Sequence, residues 1–236
     1  MPGSPRPNPR TSPAKAPLSL DAIVAASLDL VDELGCAAVS MRRVAQVLDT
    51  GSASLYVYVH DRRELMLLTH DLAVAAVELP AEADGDWRNR LELLVERTVA
   101  ALATHRDLAA VAFTEAPTGP HILRLVEEML RLLRLGGVKD AACAWAVDLL
   151  GQYIASAALE AAARAATDEP AESVADTAAR LDAVYQALPA DDYPTIRELA
   201  PLLTVGGSER ETWKLRVILD GILARDADES DRHAAR

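Results

Sequence analysis

The chain has 236 residues, half of them hydrophobic but only 4% aromatic, with a formal net charge of −12. That length can bury one large core or two modest ones, and the excess of alanine and leucine over β-branched runs favours an all-α fold. The sequence argues against four classes. Two cysteines outside any CxxC or Cys/His cluster fit neither a disulfide scaffold nor a zinc finger, no run of 18 apolar residues marks a membrane span, and the N-terminus lacks the apolar core of a signal peptide.

The negative charge is unevenly spread. Residues 1–63 carry seven Lys/Arg against six Asp/Glu, net +1, whereas residues 64–236 carry 17 against 30, net −13. An acidic body with a basic end presents one face to a polyanion and repels it elsewhere.

Residues 1–17 hold six prolines with Arg6, Arg10 and Lys15 and no acid, and read as a disordered basic arm able to place Arg6 or Arg10 in a minor groove. A first helix is expected from Leu18 to Leu34, capped by Ser19 or Asp21 and ended by Gly35; Leu20, Ile23, Val24, Ser27, Leu28, Val31 and Leu34 give one apolar stripe. Ser40 caps a second helix whose first turn carries Met41, Arg42 and Arg43. Asp49-Thr50-Gly51 is a tight turn, Asp being among the residues that tolerate the left-handed conformation. A third helix starts at Ser52 or Ala53 and runs about two turns, with Leu55 and Val59 inward and Ser52, Ala53, Ser54, Tyr56 and Tyr58 on the other faces. The pattern is a helix-turn-helix whose second helix enters a DNA major groove.

Asp61 with Glu64 reads as a capping box for a fourth helix running to about Leu79, with Leu65, Leu68, Leu72, Ala75, Ala76 and Leu79 as its apolar side. Arg62 and Arg63 at its start face a phosphate backbone if the third helix sits in the groove. Residues 80–85 form a hinge by composition.

The run MRRVAQVLDTGSASLYVYVHDRREL resembles the N-terminal domain of TetR-family transcriptional regulators: Met-Arg-x-hydrophobic-Ala, a turn, Leu-Tyr-x-Tyr-hydrophobic, then a capped Arg-x-Glu-Leu. Asp49 departs from the family's usual turn glycine, and His60 from its usual Pro or Lys. The resemblance covers about residues 18–70. It implies a dimeric repressor with a helix-turn-helix domain and a C-terminal helical ligand-binding and dimerisation domain, acting on double-stranded operator DNA in the cytoplasm. It further implies that Arg42, Ser52, Ala53, Ser54, Tyr56, Tyr58 and Arg62 occupy DNA-contact positions, with Ser52–Ser54 reading bases and Tyr56, Tyr58 and Arg62 on phosphates; Arg43 shares the basic face.

The expected division is a basic arm over 1–17, a DNA-binding domain over 18–65 with the fourth helix linking onward from 61, a helical effector and dimerisation domain over 66–225, and a frayed tail over 226–236. Within the body, helices are expected at Trp87–Thr104 behind Asp86, Leu108–Thr114, His121–Leu135 ended by Gly136-Gly137, Lys139–Ala166, Ala171–Leu188 and Glu209–Ala224 behind a Ser208/Glu211 capping box, with a break over 167–172 and a loop over 189–194. The resemblance implies that the long alanine-rich helix and the last helix build a four-helix homodimer interface, with Val217, Ile218, Gly221 and Ile222 on the last helix's apolar face. Pocket candidates for a small, hydrophobic effector are Trp87, His105, Phe113, His121, Met129, Trp145, Gln152, Tyr153 and Tyr185. No catalytic motif, metal site or cofactor-binding glycine loop is present in the pattern of residues. The other readings that fit are a helical small-molecule-binding protein and a regulator controlled by a protein partner, without ligand-triggered release.

Overall fold

In the computed structural model, residues 17–114, 118–165, 174–204 and 208–224 are described, and among them there is no strand. The helices are α1 (Leu20–Leu34), α2 (Met41–Val47), α3 (Ser52–Leu55), α4 (Arg62–Ala73), α5 (Trp87–Ala103), α6 (Val111–Thr114), α7 (Pro120–Leu135), α8 (Asp140–Ala165), α9 (Val174–Gln186), α10 (Pro194–Leu203) and α11 (Ser208–Ala224). The basic arm, the tail, the break after Ala166 and the Ser208 side chain of the expected last cap lie outside the described residues.

Four starts are written by one side chain each. Ser19, Ser40, Asp61 and Asp86 accept the backbone N–H of Ala22, Arg43, Glu64 and Asn89, at 2.8–3.2 Å, and so satisfy donors that a helix leaves open. Glu64 closes its capping box one residue earlier than expected, accepting the N–H of His60 at 2.6 Å rather than that of Asp61.

Two expectations fail in instructive ways. α3 is a single helical turn rather than two, because the chain leaves the helix through turns at Tyr56–Tyr58 to bury Val59 beside Leu55. α4 stops at Ala73 instead of reaching Leu79. Beyond Ala73, Val74 and Val77 turn into the core, and Arg124 takes the carbonyls of Ala75 and Val77 while Arg97 takes that of Glu78. Long-range guanidinium donors thus satisfy carbonyls beyond the end of the helix. A further element, α10, stands where no helix was expected, started by Pro194 at its first turn.

α1 to α4 form a head in which α1 packs on α2 and α4. The body is built on α8, which lies along α5 and α7 and against α11. α8 is long and apolar enough to cross a membrane by composition, yet it serves as the central packing helix, burying Ala142, Ala146, Leu150, Ile154, Ala155 and Ala158 among others. Its alanines allow close helix approach.

Candidate nucleic-acid interface and effector cavity

The turn between α2 and α3 is made by Asp49, which adopts φ 48°, and by the Thr50 N–H donating to the Ala45 carbonyl at 2.9 Å. Gly51 sits at φ −81°, so the left-handed residue of the turn is the aspartate and not the glycine. From there α3 hangs on two fully buried side chains, Leu55 and Val59, four residues apart. The other side chains of α3 and of the turn after it are mostly presented outward. Ser52 and Ala53 are exposed, Tyr56 is 55% and Val57 80% exposed, and Ser54 is half-buried. Arg42 and Arg43 are exposed at the start of α2.

Two of the expected DNA contacts are engaged within the protein. The Arg62 guanidinium donates to the carbonyls of Val39 and Cys36, both at 2.7 Å, bracing the turn before α2 against the start of α4. The Tyr58 hydroxyl donates to the Leu18 carbonyl at 2.8 Å, tying α3 to the entry of α1. Val57, which the sequence pattern assigned to no face, stands uncovered just past the end of α3.

The head is clamped to the body by three consecutive residues after α5. His105 Nδ1 lies 2.8 Å from Asp32 Oδ1, Arg106 donates to the Asp32 carbonyl at 2.6 Å, and Asp107 accepts the Cys36 N–H at 2.8 Å. Arg106 takes φ 47°, a strained value for a long side chain. Cys36 is half-buried here, and burial, reinforced by Asp107, pushes its thiol up to about 12, which disfavours the thiolate. On α4, the Thr69 hydroxyl donates to Ser27 on α1 at 2.8 Å, and the buried Asp71 accepts the N–H groups of His121 and Ile122 at the start of α7. A Cβ at Gly119 would collide with that carboxylate, which is why glycine precedes α7. α4 therefore bonds to both halves through polar groups.

Between α4, α5, α6, α7 and α8 lies a cavity of about 220 Å³. Of the nine effector candidates, it brings together Phe113, Met129 and Gln152. The others go elsewhere. The Trp87 ring lies over Gly136, His105 is in the clamp, and His121 contributes its backbone N–H to Asp71. Trp145 points outward at 53% exposure, Tyr153 donates to the Glu211 carbonyl on α11, and Tyr185 is half-buried on α9. The cavity also contains His70, Thr98 and Asp148, which the sequence pattern did not single out. His70 is 1% exposed; burial, opposed only by Asp71, holds its imidazole at about 4, so the ring is neutral at physiological pH. Among the described residues no cluster of His, Cys, Asp or Glu could hold a metal ion.

Residues 79–225 match the family of tetracyclin repressor-like C-terminal domains. The chain belongs to the TetR family of transcriptional regulators. Among solved structures of the family, apo ActR from Streptomyces coelicolor is 35% identical, covering 90% of this chain and 100% of its own, with a TM-score of 0.76. ActR in complex with actinorhodin gives 34% identity, 90% and 99% coverage and a TM-score of 0.78. BioQ with its natural double-stranded DNA operator is 26% identical over 63% of this chain and 90% of that one, with a TM-score of 0.56. The HTH-type transcriptional repressor DrrR1 of Streptomyces coeruleorubidus is 36% identical over 61% of this chain and 54% of its own length. The chain thus spans about half the length of the first curated relatives it matches.

Proposed function

We propose that this TetR-family chain is a cytoplasmic, dimeric repressor that binds a palindromic operator and is released from it by a small, mostly apolar effector. The observation that carries the reading is the outward display of Ser52, Ala53, Tyr56 and Val57 beside Arg42 and Arg43, on a head whose acidic body repels DNA elsewhere. Ser52, Ala53 and Ser54 approach base edges, Val57 offers an apolar contact for a thymine methyl, and Arg42, Arg43 and Tyr56 take phosphates. Arg62 and Tyr58 work one step back, holding α2 and α3 at the angle the groove requires.

The dimer reading rests on an uncovered apolar groove of about 330 Å³ between α8 and α11, where Trp145, Leu149, Val217 and Ile222 meet small residues Ala142 and Gly221. A two-fold contact there sets two heads on successive major-groove faces. Effector in the cavity touches α4 and α6; α6 follows the clamp directly, and α4 bonds to α1 and α7, so both routes lead from the cavity to the head. A coupling of about 1–3 kcal/mol is ordinary for such a device.

The test is fluorescence anisotropy on an operator selected from random DNA. Arg42→Ala with Tyr56→Ala is expected to weaken binding roughly tenfold or more for every sequence and to lower the salt slope by about one to two contacts. Wild-type affinity and salt slope in that double variant would overturn the assignment.

A further inference from the structure

The cavity holds one polar group that the protein does not satisfy. Both ring nitrogens of His70 are buried and have no hydrogen-bond partner among protein atoms. The other polar groups of the lining and the neighbouring Asp71 make their hydrogen bonds elsewhere and none of them to His70. The Thr98 hydroxyl donates to the Leu94 carbonyl at 2.7 Å, the Gln152 amide donates to Asp148 at 2.9 Å, and the Asp71 carboxylate accepts two N–H groups from α7. An imidazole placed against a cavity in this way, amid Leu102, Phe113, Leu125, Met129 and Ile154, offers one N–H donor and one bare nitrogen acceptor inside apolar walls. Leaving such a group unpaired is costly, and a guest that pairs it recovers that cost on binding.

We propose that the cavity selects an uncharged, mostly apolar molecule of about two fused rings carrying a hydroxyl, and that His70 is the residue that selects it. The inference rests on the effector reading above and specifies its chemistry. Size follows from volume: a dry apolar cavity of about 150 Å³ accommodates benzene, and about 220 Å³ extends that to a bicyclic frame. The hydroxyl follows from His70, because an O–H on the guest donates to the bare ring nitrogen; the two ring nitrogens point away from each other, so one hydroxyl serves one of them. Charge follows from Asp148, an exposed carboxylate on the lining, which disfavours an anionic guest. Because His70 sits on α4 next to Asp71, which holds the start of α7, the guest that bonds His70 bonds the helix that leads to the head.

Full-length protein titrated calorimetrically with 2-naphthol, 2-methoxynaphthalene and 2-naphthoate tests the assignment. Wild type is expected to bind 2-naphthol about tenfold or more tightly than the ether, which cannot donate, and more tightly than the carboxylate. In His70→Leu the naphthol and its ether are expected to fall within about twofold of each other. His70→Gln, which keeps a donor and an acceptor, retains the preference. A circular-dichroism melt of each variant shows that it is folded. Equal affinities in wild type, a preference that survives in a folded His70→Leu, tighter binding of 2-naphthoate, or no binding of any probe overturns the proposal. Anisotropy on operator DNA in the same samples separates this from the regulatory reading. A His70-dependent naphthol preference without operator release upholds the ligand class and removes release, whereas release that is indifferent to His70 and to the hydroxyl does the reverse.

Discussion

α3 and α8 mark the two ends of a contrast within one chain. α3 is four residues long, is anchored by Leu55 and by Val59 just beyond it, and exposes Ser52 and Ala53 to solvent. α8 is 26 residues long and buries nine, six of them alanine, against α5, α7 and α11. The head carries its chemistry on its surface, within a span of about twenty residues. The body carries its chemistry inside, in a cavity to which five helices contribute. A surface device needs only local spacing and a few anchors, whereas an internal one exists only after distant elements have packed.

The contrast can be broken most severely at the anchor. Leu55→Ala empties a fully buried site beneath α3 and is expected to cost about 2–5 kcal/mol of local stability. Operator binding is lost, while amides of α5 and α8 keep their hydrogen-exchange protection. Loss of protection across α8 as well would show head and body to be one cooperative unit.

Acid sharpens the contrast from the other side. His70 ordinarily titrates at 6.5 but is held at about 4 in the folded chain, chiefly by burial. The unfolded chain therefore binds more protons between those values. The stability contributed by keeping this ring neutral is present above about pH 6.5 and is lost as pH falls toward 4, about 3 kcal/mol in all. Comparing urea midpoints across that window, wild type is expected to fall more steeply than His70→Leu, which lacks the titrating group. Parallel slopes would move the acid sensitivity elsewhere.

The smallest of the three effects lies at the seam. Asp107→Ala removes the acceptor of the Cys36 N–H and is expected to cost about 1 kcal/mol in denaturant unfolding. Its more informative readout is coupling. Operator affinity without effector changes little, but the effector-induced loss of affinity shrinks severalfold, as seen by anisotropy with and without a bound probe. An unchanged effector response would assign transmission to α4 alone.

The legibility of the sequence follows the same division. The caps at Ser19, Ser40, Asp61 and Asp86 and the turn at Asp49 depend on residues within three or four positions, and each is where local chemistry puts it. Where the expectation failed, a distant partner intervened. α4 ends early where Val74 and Val77 turn into the core, and Arg124 and Arg97 take carbonyls beyond its end. Its buried face includes Thr69, His70 and Asp71, which apolar periodicity counts as surface; Thr69 and Asp71 are bonded to α1 and α7, and His70 faces the cavity. Aromatic size was a poor guide to the cavity, since Trp87 covers a glycine and Trp145 faces outward.

The sequence by itself determined the helix-turn-helix, its TetR-family character and the helical body, because capping, turn conformation and apolar period are set by neighbours along the chain. Only the tertiary structure decided that Arg62 and Tyr58 brace the head, that Val57 stands uncovered, and that His70 is left unpaired in a cavity. Each of those depends on which carbonyl, side chain or void a residue meets across tens of positions, and no local pattern encodes that meeting.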